Sequence, residues 1–286
     1  EVFKMSTALK QCKHILIVGV HQFEGFHICS KLVEEGLLVD GVVIVPKNPL
    51  QKKICEEEMM WLGRNAHFHL LEEDSWIEDA SKKQYDLIYY CQTDHQPIDD
   101  EAEKHRLEKT VEIASLKQTP IIFIFSLEGE NPLEYRDEEI DSWMQQIGQK
   151  WTFPYLFVYL PTVFGPWQPL GHWISNSLLE CTGISRSKTN ANEKIVIRDI
   201  LHIDEIVPVL TEFDEDLFAK KTIYLISDDK ERIKKVMSFF DIFHYIYKPI
   251  SKSEHHLVVP KTVENIEKSL QELKDFFLQN TRRLYT

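Results

Sequence analysis

Apolar residues fall in short dense runs separated by polar stretches with helical spacing. His14–Val18 (HILIV) is a β-rich run ended by Gly19. Residues 26–35 repeat apolar side chains at helical intervals, and Gly36 is placed to stop that helix. Residues 39–45 (VDGVVIV) predict a buried strand stopped by Pro46, and residues 50–62 a second helix. Short strands follow at 67–71 and 86–91. A long polar-faced helix is predicted at 99–117 and a further strand at 120–125 (PIIFIF). Residues 134–149 predict another helix and 155–160 another strand. Beyond Pro166 helices and strands alternate less regularly. The tail 263–279 gathers Val263, Ile266, Leu270, Leu273, Phe276 and Phe277 on one helical face.

Near-continuous apolar strands alternating with helices argue for a parallel sheet covered on both faces. The predicted class is therefore α/β, a doubly wound parallel sheet. A larger domain is expected at 13–165. A smaller C-terminal lobe is expected at 166–286, interleaved with the first domain.

Composition narrows the functions. The chain has 286 residues, 43% of them hydrophobic and 28% charged, which excludes a disordered chain. Lys and Arg number 33 against 46 Asp and Glu, a net charge of −13. Without a basic patch, such a surface repels phosphate backbones and anionic lipids, so nucleic-acid and membrane partners are not expected. The five cysteines, Cys12, Cys29, Cys55, Cys91 and Cys181, form no CxxC pair. They read as core thiols of a reducing compartment rather than a zinc or disulfide framework. No apolar run reaches the ~20 residues of a membrane span. With no cleavable-signal pattern at the start, a cytoplasmic chain is expected. His67 and His69 alternate on a strand, but no third ligand stands at metal spacing.

Candidate chemistry begins at Gly19-Val20-His21-Gln22-Phe23-Glu24-Gly25, between the first strand and the first helix. A dinucleotide-binding turn belongs there. Three other segments follow in order: Leu160-Pro161-Thr162-Val163-Phe164-Gly165-Pro166, Arg198-Asp199-Ile200-Leu201-His202-Ile203-Asp204-Glu205, and Pro260-Lys261-Thr262 leading into residues 266–277. Together they resemble the extended short-chain dehydrogenase/reductase family, of the NAD-dependent epimerase/dehydratase type. The four segments are similar to its GxxGxxG turn, its V-Y-G-P turn, its RDFxxVDD segment and its closing helix. The resemblance spans residues 13 to 279, and it implies a Rossmann-like, NAD(P)-binding fold with a nucleotide-binding domain at 13–165 and a substrate lobe at 166–286.

The resemblance implies cofactor contacts from Gly19, His21, Gln22, Phe23, Gly25, Lys47 and Cys91, with NAD or NADP as cofactor. It implies Arg198, with Arg186 upstream, at the diphosphate of a nucleotide or nucleotide sugar. It also implies a homodimer packed through helices 99–117 and 134–149.

Several positions depart from the pattern. Gln22 stands at the second glycine. Glu24 holds a position that is apolar in the family, and the mild reading lets it face water. Alignment puts Val43 or Ile44 where a ribose-binding acid belongs, while Asp40 lies earlier on the strand. Lys47 could meet a 2′-phosphate. The catalytic tyrosine aligns with Tyr135, its lysine with Glu139 and its Ser/Thr with Glu128, with Ser126 nearby. A carboxylate one helical turn from a phenol disfavours phenolate and opposes general-base work near neutral pH. Tyr159 replaces the arginine that precedes the V-Y-G-P turn. The sequence thus favours a catalytically impaired member that binds a nucleotide or nucleotide sugar, or serves as a structural or regulatory subunit. The second reading is an active NAD(P)-dependent epimerase, dehydratase or reductase acting on a nucleotide sugar or small carbonyl compound.

Overall fold

The structure is a computed structural model. It describes residues 12–46, 48–92, 101–127, 148, 151–169, 172–181, 195–212, 218, 221–227, 229–250, 257–261 and 265–285. The central feature is an eight-stranded sheet of parallel pairs. Its first strands are β1 (His14–Val18), β2 (Leu38–Val42), β3 (Phe68–Leu71), β4 (Leu87–Cys91) and β5 (Ile121–Ser126). They are joined by β6 (Tyr155–Leu160), and by β10 (Thr222–Leu225) and β12 (Leu257–Val258) from the C-terminal part. The order is β12-β10-β6-β5-β4-β1-β2-β3. β1 therefore has β2 on one side and β4 on the other. At such a reversal a doubly wound sheet opens a crevice at the carboxyl ends of its strands.

Both sheet faces are apolar, which is why the strands read as continuous runs rather than as alternations. One face carries Ile15, Ile17, Tyr89, Ile122, Val158 and Ile223 against helices α1 (Phe23–Glu34) and α6 (Ile203–Thr211). The other carries Leu16, Val18, Ile88, Phe123 and Phe157 against α3 (Trp76–Lys82) and α4 (Glu101–Lys117). Aromatic rings crowd this second face. Tyr159, in place of the family's arginine, stacks on Tyr224 at 4.8 Å and on Phe125 at 5.5 Å. Trp151 stacks on Phe123 at 5.4 Å.

A separate core forms in the C-terminal part of the chain. Phe164 of β7 (Thr162–Phe164), Ile174 of α5 (Trp173–Cys181), Ile197 of β8 (Ile195–Ile197) and Ile200 of β9 (Ile200–His202) meet there. Ile233 of α7 (Lys230–Phe239) and Leu270 of α8 (Ile266–Tyr285) complete it. Two short ladders, β7 with β9 and β8 with β11 (Tyr245–Tyr247), lie outside the main sheet.

The remaining helix, α2 (Pro49–Leu62), starts where Asn48 accepts the N–H groups of Leu50 and Gln51 and Pro49 fills the first turn. Three boundaries differ from the expectation. β2 stops at Val42 because Val42 O accepts the N–H groups of both Gly19 and Val20, where β1 turns away. Residues 43–45 are left without a strand to pair with. α1 begins at Phe23 rather than 26, with Gln22 as its N-cap. α3 has no counterpart in the sequence reading: a seven-residue helix shows too little periodicity to stand out. The expected helix 134–149 lies outside the described residues. No described helix is long and apolar enough to cross a membrane. Cys12, Cys29, Cys55 and Cys91 carry thiols rather than disulfides.

Candidate functional site

The turn after β1 is set by two glycines. Gly19 has φ +85°, and a Cβ there would collide with the carbonyl oxygen of Cys91. A Cβ on Gly25 would collide with Gly19 O. The carbonyl of Gly19 accepts the Gln22 N–H at 2.9 Å, and α1 rises directly from this turn. Gly19, His21, Gln22, Phe23, Gly25 and Cys91 are thus gathered at the crevice. Lys47, Glu128, Tyr135, Glu139 and Arg186 lie outside the described residues.

The backbone of this turn fits a diphosphate, since both close approaches that glycine permits are present. The side chains between the glycines do not. Gln22 is only 7% exposed where the family has no side chain. Glu24, expected to face water, is 8% exposed in the first turn of α1, which corrects the mild reading. A buried carboxylate there competes with phosphate for the positive end of the helix dipole. His21 reaches across to the end of β2, where its Nδ1 accepts the Ile44 N–H at 3.3 Å. Burial first, then the Arg106 charge, lowers the His21 pKa to about 3, so the ring is neutral. With Nδ1 accepting, the proton sits on Nε2. The Gln22 amide, 2.8 Å away, meets that proton with its oxygen once the amide is turned accordingly.

The expected ribose-acid position is occupied by an apolar side chain. Ile44 is buried, and its N–H is already taken. Asp40 serves another purpose, on the helix α3–α4 side of the sheet. It accepts from Lys83 Nζ and Tyr85 OH, both at 2.7 Å, with His14 Nε2 at 3.1 Å and His69 Nδ1 at 3.3 Å. Burial alone would raise its pKa; Lys83, Tyr85 and His14 overcome that and lower it.

Three of the four sequence segments converge beside this turn. A Cβ on Gly165 would lie 2.5 Å from Ile203 Cγ2 and 3.5 Å from the Phe23 ring. Sequence reasoning missed His27 one turn along α1. Its Nε2 donates to Pro166 O at 2.9 Å, and burial lowers its pKa to about 4. A polar residue inside an otherwise apolar helical face was the available signal. Two tryptophans of this region are packing groups. Trp167 packs on Phe26 and Phe276, and Trp173 on Phe240.

Arg198, 6% exposed, sits on the turn between β8 and β9. Asp199 braces that turn: its carboxylate accepts from Ile200 N at 2.8 Å, Ser227 N at 2.7 Å and Ser227 Oγ at 2.6 Å. Arg232 and Glu205, 1% and 2% exposed, form a bidentate ion pair with both contacts at 2.7 Å. Arg232 also donates to Ile200 O at 3.2 Å, and Glu205 accepts the His202 N–H at 2.7 Å. His202 in return accepts from Asp204 N, which closes a capping box on α6.

No known family profile matches the sequence. Over 57 residues the chain is 40% identical to the uncharacterized protein YjaV of Bacillus subtilis (strain 168). The match covers 20% of this chain and 31% of that relative. Solved structures match nearly the whole chain. The UDP-glucuronic acid 4-epimerase of Bacillus cereus in complex with NAD is 14% identical, with a TM-score of 0.67 over 93% of this chain and 96% of that one. An epimerase of Methanothermobacter thermautotrophicus is also 14% identical, with a TM-score of 0.62 over 100% and 98%. The UDP-glucose 4-epimerase of Thermotoga maritima with UDP-glucose reaches 0.58 at 14% identity, over 93% and 99%. The chain therefore has the parallel, Rossmann-like fold of the NAD-dependent epimerases and dehydratases of the extended short-chain dehydrogenase/reductase type.

Proposed function

We propose that this chain binds a nucleotide or nucleotide sugar through its smaller lobe, and that its epimerase-type catalysis is impaired. The observation that carries the reading is the braced turn holding Arg198. A guanidinium suits a diphosphate because it pairs with two oxygens at once. The likeness to epimerases solved with UDP-glucuronic acid and with UDP-glucose supports the same ligand class. Impairment is supported by the sequence. Glu139 replaces the lysine that would lower the Tyr135 pKa, and losing a positioned acid or base costs about 10²–10⁴ in rate. One observation favours the active alternative, an NAD(P)-dependent enzyme: the backbone conformation of the Gly19–Gly25 turn is kept.

Calorimetric titration of the full chain with UDP-glucuronic acid and UDP-glucose tests the binding. The expected result is saturable binding that weakens about tenfold or more in Arg198→Ala, the loss of one charge-assisted hydrogen bond or more. Absence of heat with either nucleotide sugar at about 1 mM would overturn the reading.

A further inference from the structure

The polar groups of the β1–α1 turn satisfy one another across the groove that a dinucleotide would enter. His21 joins the end of β2 through the Ile44 N–H and joins Gln22 through its other ring nitrogen. One end of this chain of contacts stands where a diphosphate would lie. The other stands beside the place of the adenosine ribose. A ligand would have to displace both side chains and, among the described residues, would gain no cation by doing so. The His21 ring is neutral, and Arg106 nearby is already held by Glu103 at 2.6 Å, which also accepts from Tyr90 OH at 2.7 Å. Glu24 adds a buried carboxylate one residue into the helix.

We propose that the His21–Gln22 bridge to Ile44 is an internal latch that excludes nicotinamide dinucleotides from the crevice. The latch goes beyond the proposed nucleotide-sugar function and concerns the other half of the cleft. It joins Gln22, the residue that breaks the glycine pattern, and its neighbour His21 into one device. Its removal restores the space and frees the Ile44 N–H as a donor.

Full-length protein is titrated with NADH and NADPH by calorimetry, with NADH fluorescence as a second readout. Wild type shows no saturable binding up to about 1 mM. Gln22→Gly, and His21→Ala/Gln22→Gly together, bind NADH at least about tenfold more tightly than wild type. Gln22→Ala keeps a Cβ and guards against a Gly variant that fails to fold; circular dichroism and thermal melting identify folded variants. A wild-type Kd below about 100 μM overturns the latch, and so do folded variants that gain no affinity. UDP-glucuronic acid titrated into the same proteins separates the two proposals. Its failure to bind while the NADH results hold removes the nucleotide-sugar reading and leaves the latch.

Discussion

The turn after β1 and the turn between β8 and β9 are both built from buried polar groups, yet they spend them differently. At the first, His21 and Gln22 turn towards each other and towards Ile44, and the groove side of the turn fills with side chain. At the second, Asp199 and the Arg232–Glu205 pair turn away from the tip and hold the backbone that follows Arg198. Buried polar groups need partners wherever they sit. When the partners lie within the turn, the turn is closed. When they lie behind it, in Ser227 and α7, the turn is rigid and its arginine is positioned. That difference leads us to place ligand binding in the second region and exclusion in the first.

The largest effect comes from undoing the bracing. Arg232→Met leaves Glu205 as a buried charge without its guanidinium, and single losses of this kind cost about 3–5 kcal/mol. Urea denaturation should show that loss, together with weaker UDP-sugar binding. Replacing both residues by apolar ones of similar size should recover much of the stability. If Arg232→Met changes stability by less than about 1 kcal/mol, the pair does not brace the turn.

Next in size is Gly19→Ala. The positive φ and the collision with Cys91 O act together, and backbone strain of this kind costs about 1–3 kcal/mol. The comparison predicts a loss of thermal stability with no loss of UDP-sugar affinity. A variant that loses both would mean that the two turns are not separate.

Much of this was legible in the sequence. Strand runs such as IIFIF and LFVYL announced a sheet buried on both faces, and Gly19 and Gly25 announced the turn. The latch was not legible, because it depends on His21 meeting Ile44, 23 residues away, across the sheet. Nor was the Arg232–Glu205 pair: Arg232 looks like any charged residue in KERIKK, and only the packing of α7 on β9 and α6 reveals its role. Glu24 was misread for the same reason. Nothing in the local sequence says that a carboxylate in the first helical turn is covered.

A further effect separates the regions by pH. His21 and His27 are neutral in the folded protein, with pKa values lowered to about 3 and about 4. Unfolded, they take up protons near pH 6.5, so the unfolded state binds more protons and stability falls as pH drops below that value. Each should cost about 2 kcal/mol by pH 5, since one proton per group sets a limiting slope of ~1.4 kcal/mol per pH unit. The Asp40 carboxylate stays charged over this range. Its lowered pKa keeps its contribution intact until pH falls below the ordinary carboxylate value. Urea titrations at pH 7 and pH 5 measure the slope, and His27→Gln should flatten it.

The smallest effect has the opposite pH dependence. Ser227 donates its hydroxyl to Asp199 at 2.6 Å and also offers its backbone N–H at 2.7 Å. Ser227→Ala removes the hydroxyl bond to Asp199, worth about 1 kcal/mol when two backbone donors remain on the carboxylate, and leaves the Asp229 N–H without its hydroxyl acceptor. Burial already raises the Asp199 pKa, and losing a donor to the charged form raises it further. An acid whose folded pKa is raised loses stability as pH climbs through that pKa, so the deficit of the variant is full at pH 7 and shrinks on acidification. Acid therefore weakens the protein through the histidines beside the first turn, while it narrows the gap between wild type and Ser227→Ala at the second. Melting curves of both proteins at pH 7 and pH 4 decide the matter. A deficit that stays constant or widens at pH 4 would mean that Asp199 is not the charged brace of the arginine turn.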